Sequence, residues 1–487
     1  MQPDSREDLG TLERSPGAPH PAAYNARMSV LATVREALRG TRQDFTDGPI
    51  GRSLVLLAVP MVLETVLESL FAVVDIFFVA HLGADAIATV GLTESMESLV
   101  YAVAIGLGIG ATAVVARRTG EKDPEAAAQA AGQAIFLGVL VAIPIAAVGI
   151  SLAPQLLTVL GGSETVQSQG AGFTRVVMGG NVAVLLLFLI NAVFRGAGDA
   201  TIAMRSLWLA SACNMVLGPM FIFGVGPFPR LGLTGAAVGT TIGRSIGVLF
   251  QISQLARRDG RIVIRARHLR PDPRVVWQLV RLSGSGVLQL LIGTTSWIGM
   301  VRVLSFFGSS VLAGYTIGLR VIIFALLPSW GLSNAAATMV GQSLGAKKPD
   351  RAEQATWMAS RYNMWVLGSI SLLFVAFAGP IIGFFTDDPA ILPWGTSCLR
   401  LVSVGFVFYA YGMVLTSAIN GAGDTWTPTL LNAVCFWLWE VPLAWVLSRL
   451  TDLGPRGAFL AITVAFSTLA LASAWVFRRG RWKTQAV

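Results

Sequence analysis

Gly196-Ala197-Gly198-Asp199 and Gly421-Ala422-Gly423-Asp424 are the same four residues, 225 positions apart. The same offset sets Gly120 on Gly345, Pro124 on Pro349, Ala127 on Ala352, Gln129 on Gln354 and Val115 on Val340. Leu82-Gly83 falls on Phe307-Gly308, and Leu63 on Leu288. Agreement at one offset across most of the chain indicates two homologous halves. In a chain as apolar as this one, that is the pattern of a secondary transporter.

Of the 487 residues, 54% are hydrophobic and only 13% charged, with a mean hydropathy of +0.66. A water-soluble protein of this length needs more charge to cover its surface, so the bilayer is the expected solvent. The three cysteines, Cys213, Cys398 and Cys435, stand in apolar stretches without metal-ligand spacing and are read as small buried hydrophobes. No cofactor is expected, and the one metal to consider is a transported Na⁺.

Apolar stretches of about twenty residues occur at 53–80, 87–116, 126–152, 168–193, 202–226, 234–256, 276–305, 312–341, 355–379, 394–418, 428–448 and 457–477. The expected organisation is a tail over 1–52, a six-helix lobe over 53–256, a basic linker over 257–275, a second six-helix lobe over 276–477 and a tail over 478–487. With the N-terminus inside, the inner connections and tails carry 26 Lys and Arg. The outer ones carry three: Arg230, Arg449 and Arg456. The net charge of +9 is therefore read as positive-inside topology rather than nucleic-acid binding, with both termini expected in the cytoplasm. Residues 28–39, with Met28, Leu31, Val34 and Leu38 against Arg35 and Arg39, are weakly amphipathic and suit an interfacial helix or a disordered tail.

No Lys or Arg stands between Arg52 and Arg117, yet that stretch holds Glu64, Glu68, Asp75, Asp85, Glu94 and Glu97. At about 100° per residue, Glu64, Glu68 and Asp75 share one face of the first span. A carboxylate facing lipid costs on the order of 3 kcal/mol, so that face belongs in a bundle interior or a wet cavity. The positions 225 further on are Gln289, Gly293 and Met300, and the charges of the seventh and eighth spans are Arg281, Arg302 and Arg320. Two readings follow: ion pairs between lobes, or a proton or sodium site built from carboxylates that lack a neighbouring cation.

Together these landmarks resemble the multidrug and toxic compound extrusion (MATE) family. The resemblance is carried by Thr46-Asp47-Gly48-Pro49-Ile50, Leu57-Ala58-Val59-Pro60 and Val74-Asp75-Ile76-Phe77-Phe78-Val79. It continues through Phe194 to Asp199, Pro219-Met220-Phe221-Ile222-Phe223-Gly224, Met339 to Ala346, and Asn420 to Asp424. It implies an all-α membrane protein, with twelve transmembrane helices in two pseudo-symmetric six-helix bundles forming a V. It also implies export of organic cations or amphiphilic drugs in exchange for H⁺ or Na⁺, by a monomer in the inner (plasma) membrane, with no enzymatic step. The NorM-like branch adds acids in the seventh and tenth helices. Here the seventh helix has none, and Tyr409 takes the tenth-helix position. The DinF-like branch uses a first-lobe site, matched by Asp75, Asn191, Asn214 and Thr240. That branch's fifth-helix Asp is Gly218 in this chain, which leaves Glu68 or Glu64 to supply the second carboxylate. H⁺ is preferred over Na⁺ because the second-lobe acids are missing.

The coupling candidates are thus Asp75, Glu68, Glu64, Asn191, Asn214 and Thr240. Candidates for a substrate cleft are Glu94, Glu97, Tyr409, Glu440, Trp437 and Arg302. Glu440 is the one acid of the eleventh span, beside Trp437 and Trp439. Pro60 removes a helix hydrogen bond and suits a kink. Both Gly-Ala-Gly-Asp segments are expected to form tight turns whose Asp caps the next helix. The alternative activity is a flippase for lipids or oligosaccharides in the same superfamily, for which Arg302 and Arg320 would face the anionic head group.

Overall fold

The computed structural model describes residues 30–41 and 43–485. The expected tail before residue 30 lies outside them. Sixteen α-helices follow in order: α1 Val30–Arg39, α2 Ile50–Ala80, α3 Ala84–Gly120, α4 Pro124–Val159, α5 Glu164–Gly179, α6 Asn181–Gly196, α7 Ala200–Phe223, α8 Leu233–Ala256, α9 Pro273–Ser305, α10 Ser309–Gly345, α11 Pro349–Gly383, α12 Leu392–Val404, α13 Phe406–Gly421, α14 Trp426–Asn432, α15 Val441–Arg449 and α16 Pro455–Arg478. A π-helical segment, Ala433–Glu440, joins α14 to α15. Eleven stretches are long and apolar enough to cross a bilayer, and α12 with α13, bent by 57°, makes the twelfth. The protein is a multi-pass membrane protein of twelve spans, as the apolar pattern predicts.

The repeat extends into backbone conformation. Among the described residues, two non-glycine residues have left-handed backbone, Lys122 and Lys347, both at φ +58° and 225 apart. Gly198 (φ +82°) and Gly423 (φ +92°) turn the chain after α6 and α13, a conformation that favours glycine. Asp424 caps the following turn through the Thr427 N–H (3.1 Å) and hydroxyl (2.6 Å). Asp199 stands at the N-cap of α7 without a side-chain cap bond, so the expected capping role holds for one copy only. Gly180 and Gly405, again 225 apart, separate α5 from α6 and α12 from α13.

The lobes meet along one half of their length. Thr65 donates to the Leu327 carbonyl (3.1 Å), Thr338 to that of Arg195 (3.2 Å) and Gln342 to that of Gly196 (2.8 Å). Arg117 bonds the carbonyls of Ala422 (3.1 Å) and Gln485 (3.0 Å). Among the described residues, direct hydrogen bonds between the lobes lie at or below Thr65, on the side of the Gly-Ala-Gly-Asp turns. That same end carries α1, the basic linker and the C-terminal segment. Arg205 donates to the Leu38 and Arg39 carbonyls at the end of α1, and Arg261 to those of Thr41 and Gln43. The helix at 30–39 is therefore real, with Ala37 buried on the bundle and Leu31 exposed. Pro60 sits inside α2, which continues past it to Ala80.

Candidate functional site: a charged cavity in the first lobe

A cavity of about 290 Å³ opens inside the first lobe. Helix α2 supplies Glu68 and Asp75, seven residues apart and so two turns up one face. Helix α3 adds Glu94, Glu97, Ser98 and Tyr101, and α8 adds Thr240, Thr241 and Arg244. Phe173 and Val177 of α5 form an apolar wall. Arg244 lies 3.4 Å from the Glu97 carboxylate and donates to the Tyr101 hydroxyl at 2.5 Å. Asn214 of α7 stands just behind, donating to Thr240 Oγ1 at 2.6 Å.

The six coupling candidates divide into two groups. Glu68, Asp75 and Thr240 line the cavity, and Asn214 orients Thr240 from behind it. Glu64 and Asn191 belong to a separate buried network one turn below. There Glu64 accepts from Asn191 (2.9 Å) and from Arg195 (2.7 Å). Asn191 in turn accepts from Ser206 (2.9 Å) and Gln251 (2.6 Å). A carboxylate so paired locks α2 to α6, because removing one member would strand the other in a dry interior. Gly218 lies beside this region, and a Cβ built on it would meet only Asn214 Oδ1, at 3.4 Å.

The expectation of acids without a neighbouring cation is corrected for Glu64 and Glu97 but not for Glu68 and Asp75, which have no ion pair among the described residues. Arg195 and Arg244 ion-pair with Glu64 and Glu97, and the pairs lie within the first lobe rather than between lobes. Arg244, absent from the candidates drawn from the sequence, is the single charged residue of Leu233–Ala256. A lone ionisable side chain in an apolar span is itself a signal for a polar interior. Glu94 and Glu97 are placed well inside α3, which starts at Ala84, and both face the cavity.

The second-lobe candidates also separate. Tyr409 and Glu440 line a much smaller cavity, about 30 Å³, walled by Trp297, Tyr315, Leu319, Ile322 and Phe466. Trp437 is exposed on another face, its indole N–H donating to Thr295 (3.2 Å). Arg302, in the last turn of α9, lies over the Phe306 ring at 5.1 Å and lines neither cavity.

Two cavities inside two repeated bundles of six spans define a membrane transporter architecture with internal symmetry. The MatE family profile matches residues 60–220 and again 285–446, two copies displaced by the repeat offset. The chain belongs to the MatE family. It is 25% identical over 453 residues to "Probable multidrug resistance protein NorM" of Thermotoga maritima, covering 90% of this chain and 94% of that one. It is likewise 25% identical over 439 residues to "FAD transporter" of Shewanella oneidensis, covering 90% and 96%. A solved structure described as the outward-facing conformation of a multidrug resistance MATE family transporter superposes with a TM-score of 0.84 at 24% identity. It covers 93% of this chain and 98% of that chain, and establishes a shared V-shaped fold.

Proposed function

We propose that the protein is a secondary active multidrug efflux antiporter that exports organic cations or amphiphilic drugs in exchange for H⁺ by alternating access. The observation that carries this is the charge inventory of the first-lobe cavity. Four carboxylates (Glu68, Asp75, Glu94 and Glu97) share about 290 Å³ with one cation, Arg244. Fully ionised, the lining would hold three more negative charges than positive ones, with Arg195 and Arg320 acting on Glu68 and Glu94 only from outside it, which is costly within the bilayer. Protons or a bound organic cation relieve that charge, and competition between the two is antiport. Asp75 and Glu68 are the coupling groups: they share one face of α2 in the cavity with no ion pair or hydrogen bond among the described residues, whereas Glu94, also without one, lies within electrostatic reach of Arg320. Arg244, itself bonded to the Tyr101 hydroxyl, holds Glu97, and the apolar wall of Phe173 and Val177 takes the drug's hydrophobic body.

The multidrug names of relatives support the substrate class. The first-lobe acids, with no acid in α9, support the DinF-like manner of coupling and H⁺ over Na⁺. The closed seam lies on the basic face, which positive-inside topology assigns to the cytoplasm. A monomer suffices, because both lobes are in one chain. A flippase for anionic lipids would want Arg302 or Arg320 in a cavity, and neither lines one of the two.

The test is ethidium export from liposomes containing the purified protein, driven by a proton gradient without Na⁺ and then by a Na⁺ gradient at fixed pH. Export on the proton gradient alone, abolished by Asp75→Asn, is expected. Export only with Na⁺ overturns the ion, and no dye movement under either gradient overturns the substrate class.

A further inference from the structure

The two cavities are the same place in the two repeats. Eleven residues lining the second-lobe cavity stand 225 positions after residues lining the first-lobe one. Glu94 is answered by Leu319, Glu97 by Ile322, Tyr101 by Leu326, Val184 by Tyr409 and Thr241 by Phe466. Substitution has removed the polar wall contributed by α3 and α8, and one carboxylate has been added: Glu440.

Glu440 reaches this cavity through a change of helix register. The offset sets Asn214, buried beside the first cavity, on Trp439, and Met215 on Glu440. In the second lobe Trp439 is 44% exposed and Glu440 is 1% exposed. The π-helical segment Ala433–Glu440 accounts for the shift. Val441 N–H bonds the carbonyl of Phe436, five residues back, and Pro442 has no N–H to offer the carbonyl of Leu438. One residue is thereby absorbed, and Glu440 takes the inward position that Asn214 holds in the first lobe. Its Oε2 is buried with no hydrogen-bond partner.

We propose that Glu440 is a second proton-binding site, independent of the first-lobe reading, so that each lobe carries one protonatable cavity. A buried carboxylate with an orphan oxygen and no cation is a poor resident as an anion, and protonation neutralises it. The groups around it agree. Helix α10 presents Tyr315, α12 Cys398 and α13 Tyr409, while its own π-segment adds Cys435. The residues from α9 and α16, Trp297, Ile462, Thr463 and Phe466, do not titrate. Arg449 on α15 lies against Phe306, away from the cavity. About 30 Å³ is room for one water molecule, too small for a drug, and the apolar walls offer too few oxygens for Na⁺.

Infrared difference spectra of the full-length protein in nanodiscs, stepped between acidic and alkaline buffer, read protonated carboxyls directly and need no transport. Wild type is expected to show a carboxyl C=O band that is lost in Glu440→Gln, shifted in frequency in Glu440→Asp, and retained in Asp75→Asn. A Glu440→Gln difference spectrum identical to wild type overturns the proposal. Should that variant fail to fold, an unshifted band in Glu440→Asp does so. Abolition of the band by Na⁺ at constant pH would overturn the proton in favour of a metal cation.

Discussion

The cavity of the first lobe and the cavity of the second are built on matching positions of the two repeats, yet one is wide and charged and the other narrow and mostly apolar. The backbone plan, the glycine breaks and even the left-handed lysines repeat, so the fold does not dictate what a cavity binds. Side chains at a few repeated positions do. Glu94, Glu97 and Arg244 make the first cavity charged, whereas Leu319 and Ile322 leave the second nearly closed around one carboxylate. The lobes can thus share a rocking motion while only one carries a drug-sized, charged space.

That contrast breaks most directly by exchange. Converting Glu94→Leu with Glu97→Ile gives the first cavity the α10 residues of the second. Proton-driven ethidium export is expected to fall to background, measured as initial rate at matched protein density. The reverse change, Leu319→Glu, is expected to restore none of it. Next in size is Arg244→Gln, which leaves Glu97 and the Tyr101 hydroxyl without their partner. A loss of about 3 kcal/mol, as for a broken buried pair, should appear as a lowered Tm in detergent, whereas Arg302→Gln at the end of α9 should leave Tm nearly unchanged.

A smaller effect tests the seam both cavities depend on. A Cβ at Gly331 of α10 would stand 2.7 Å from the Val62 backbone nitrogen of α2. Gly331→Val is expected to cost about 1–3 kcal/mol of seam packing. Cysteine accessibility along α2 and α10 should then rise on the basic side. The smallest effect is at Asp47, in the loop before α2, which pairs with Lys348, the residue preceding α11. The hydrogen bond and charge of Lys348 hold its carboxyl below the ordinary aspartate range. A depressed folded-state pKa gives stabilisation that is present above the ordinary value and lost as pH falls through the depressed one. Asp47→Asn should therefore lower Tm slightly at neutral pH, with the difference from wild type vanishing in strong acid.

Much of this was legible in the sequence for physical reasons. Apolar length fixes a span, and the offset fixes the pairing of halves. Helical spacing placed Glu68 and Asp75 on one face, and both line the cavity. The same spacing grouped Glu64 with them, but periodicity gives the face and not the depth, and one turn lower Glu64 meets Asn191 and Arg195. The Arg244 pair is not legible from the charges along one span, because it joins Glu97 to a residue 147 positions away. Glu440 was visible as a lone acid, but its inward aim depends on a π-turn that repositions it by one residue, and residue spacing assumes a regular helix.

The most direct measurement of the central claim is the proton count on binding a lipophilic cation. Tetraphenylphosphonium is added to weakly buffered, detergent-solubilised protein, and released protons are read with a pH dye. Wild type should release protons in proportion to cation bound, and Asp75→Asn should release fewer. Binding with no proton release in wild type, or equal release in both proteins, would contradict exchange at the first-lobe cavity.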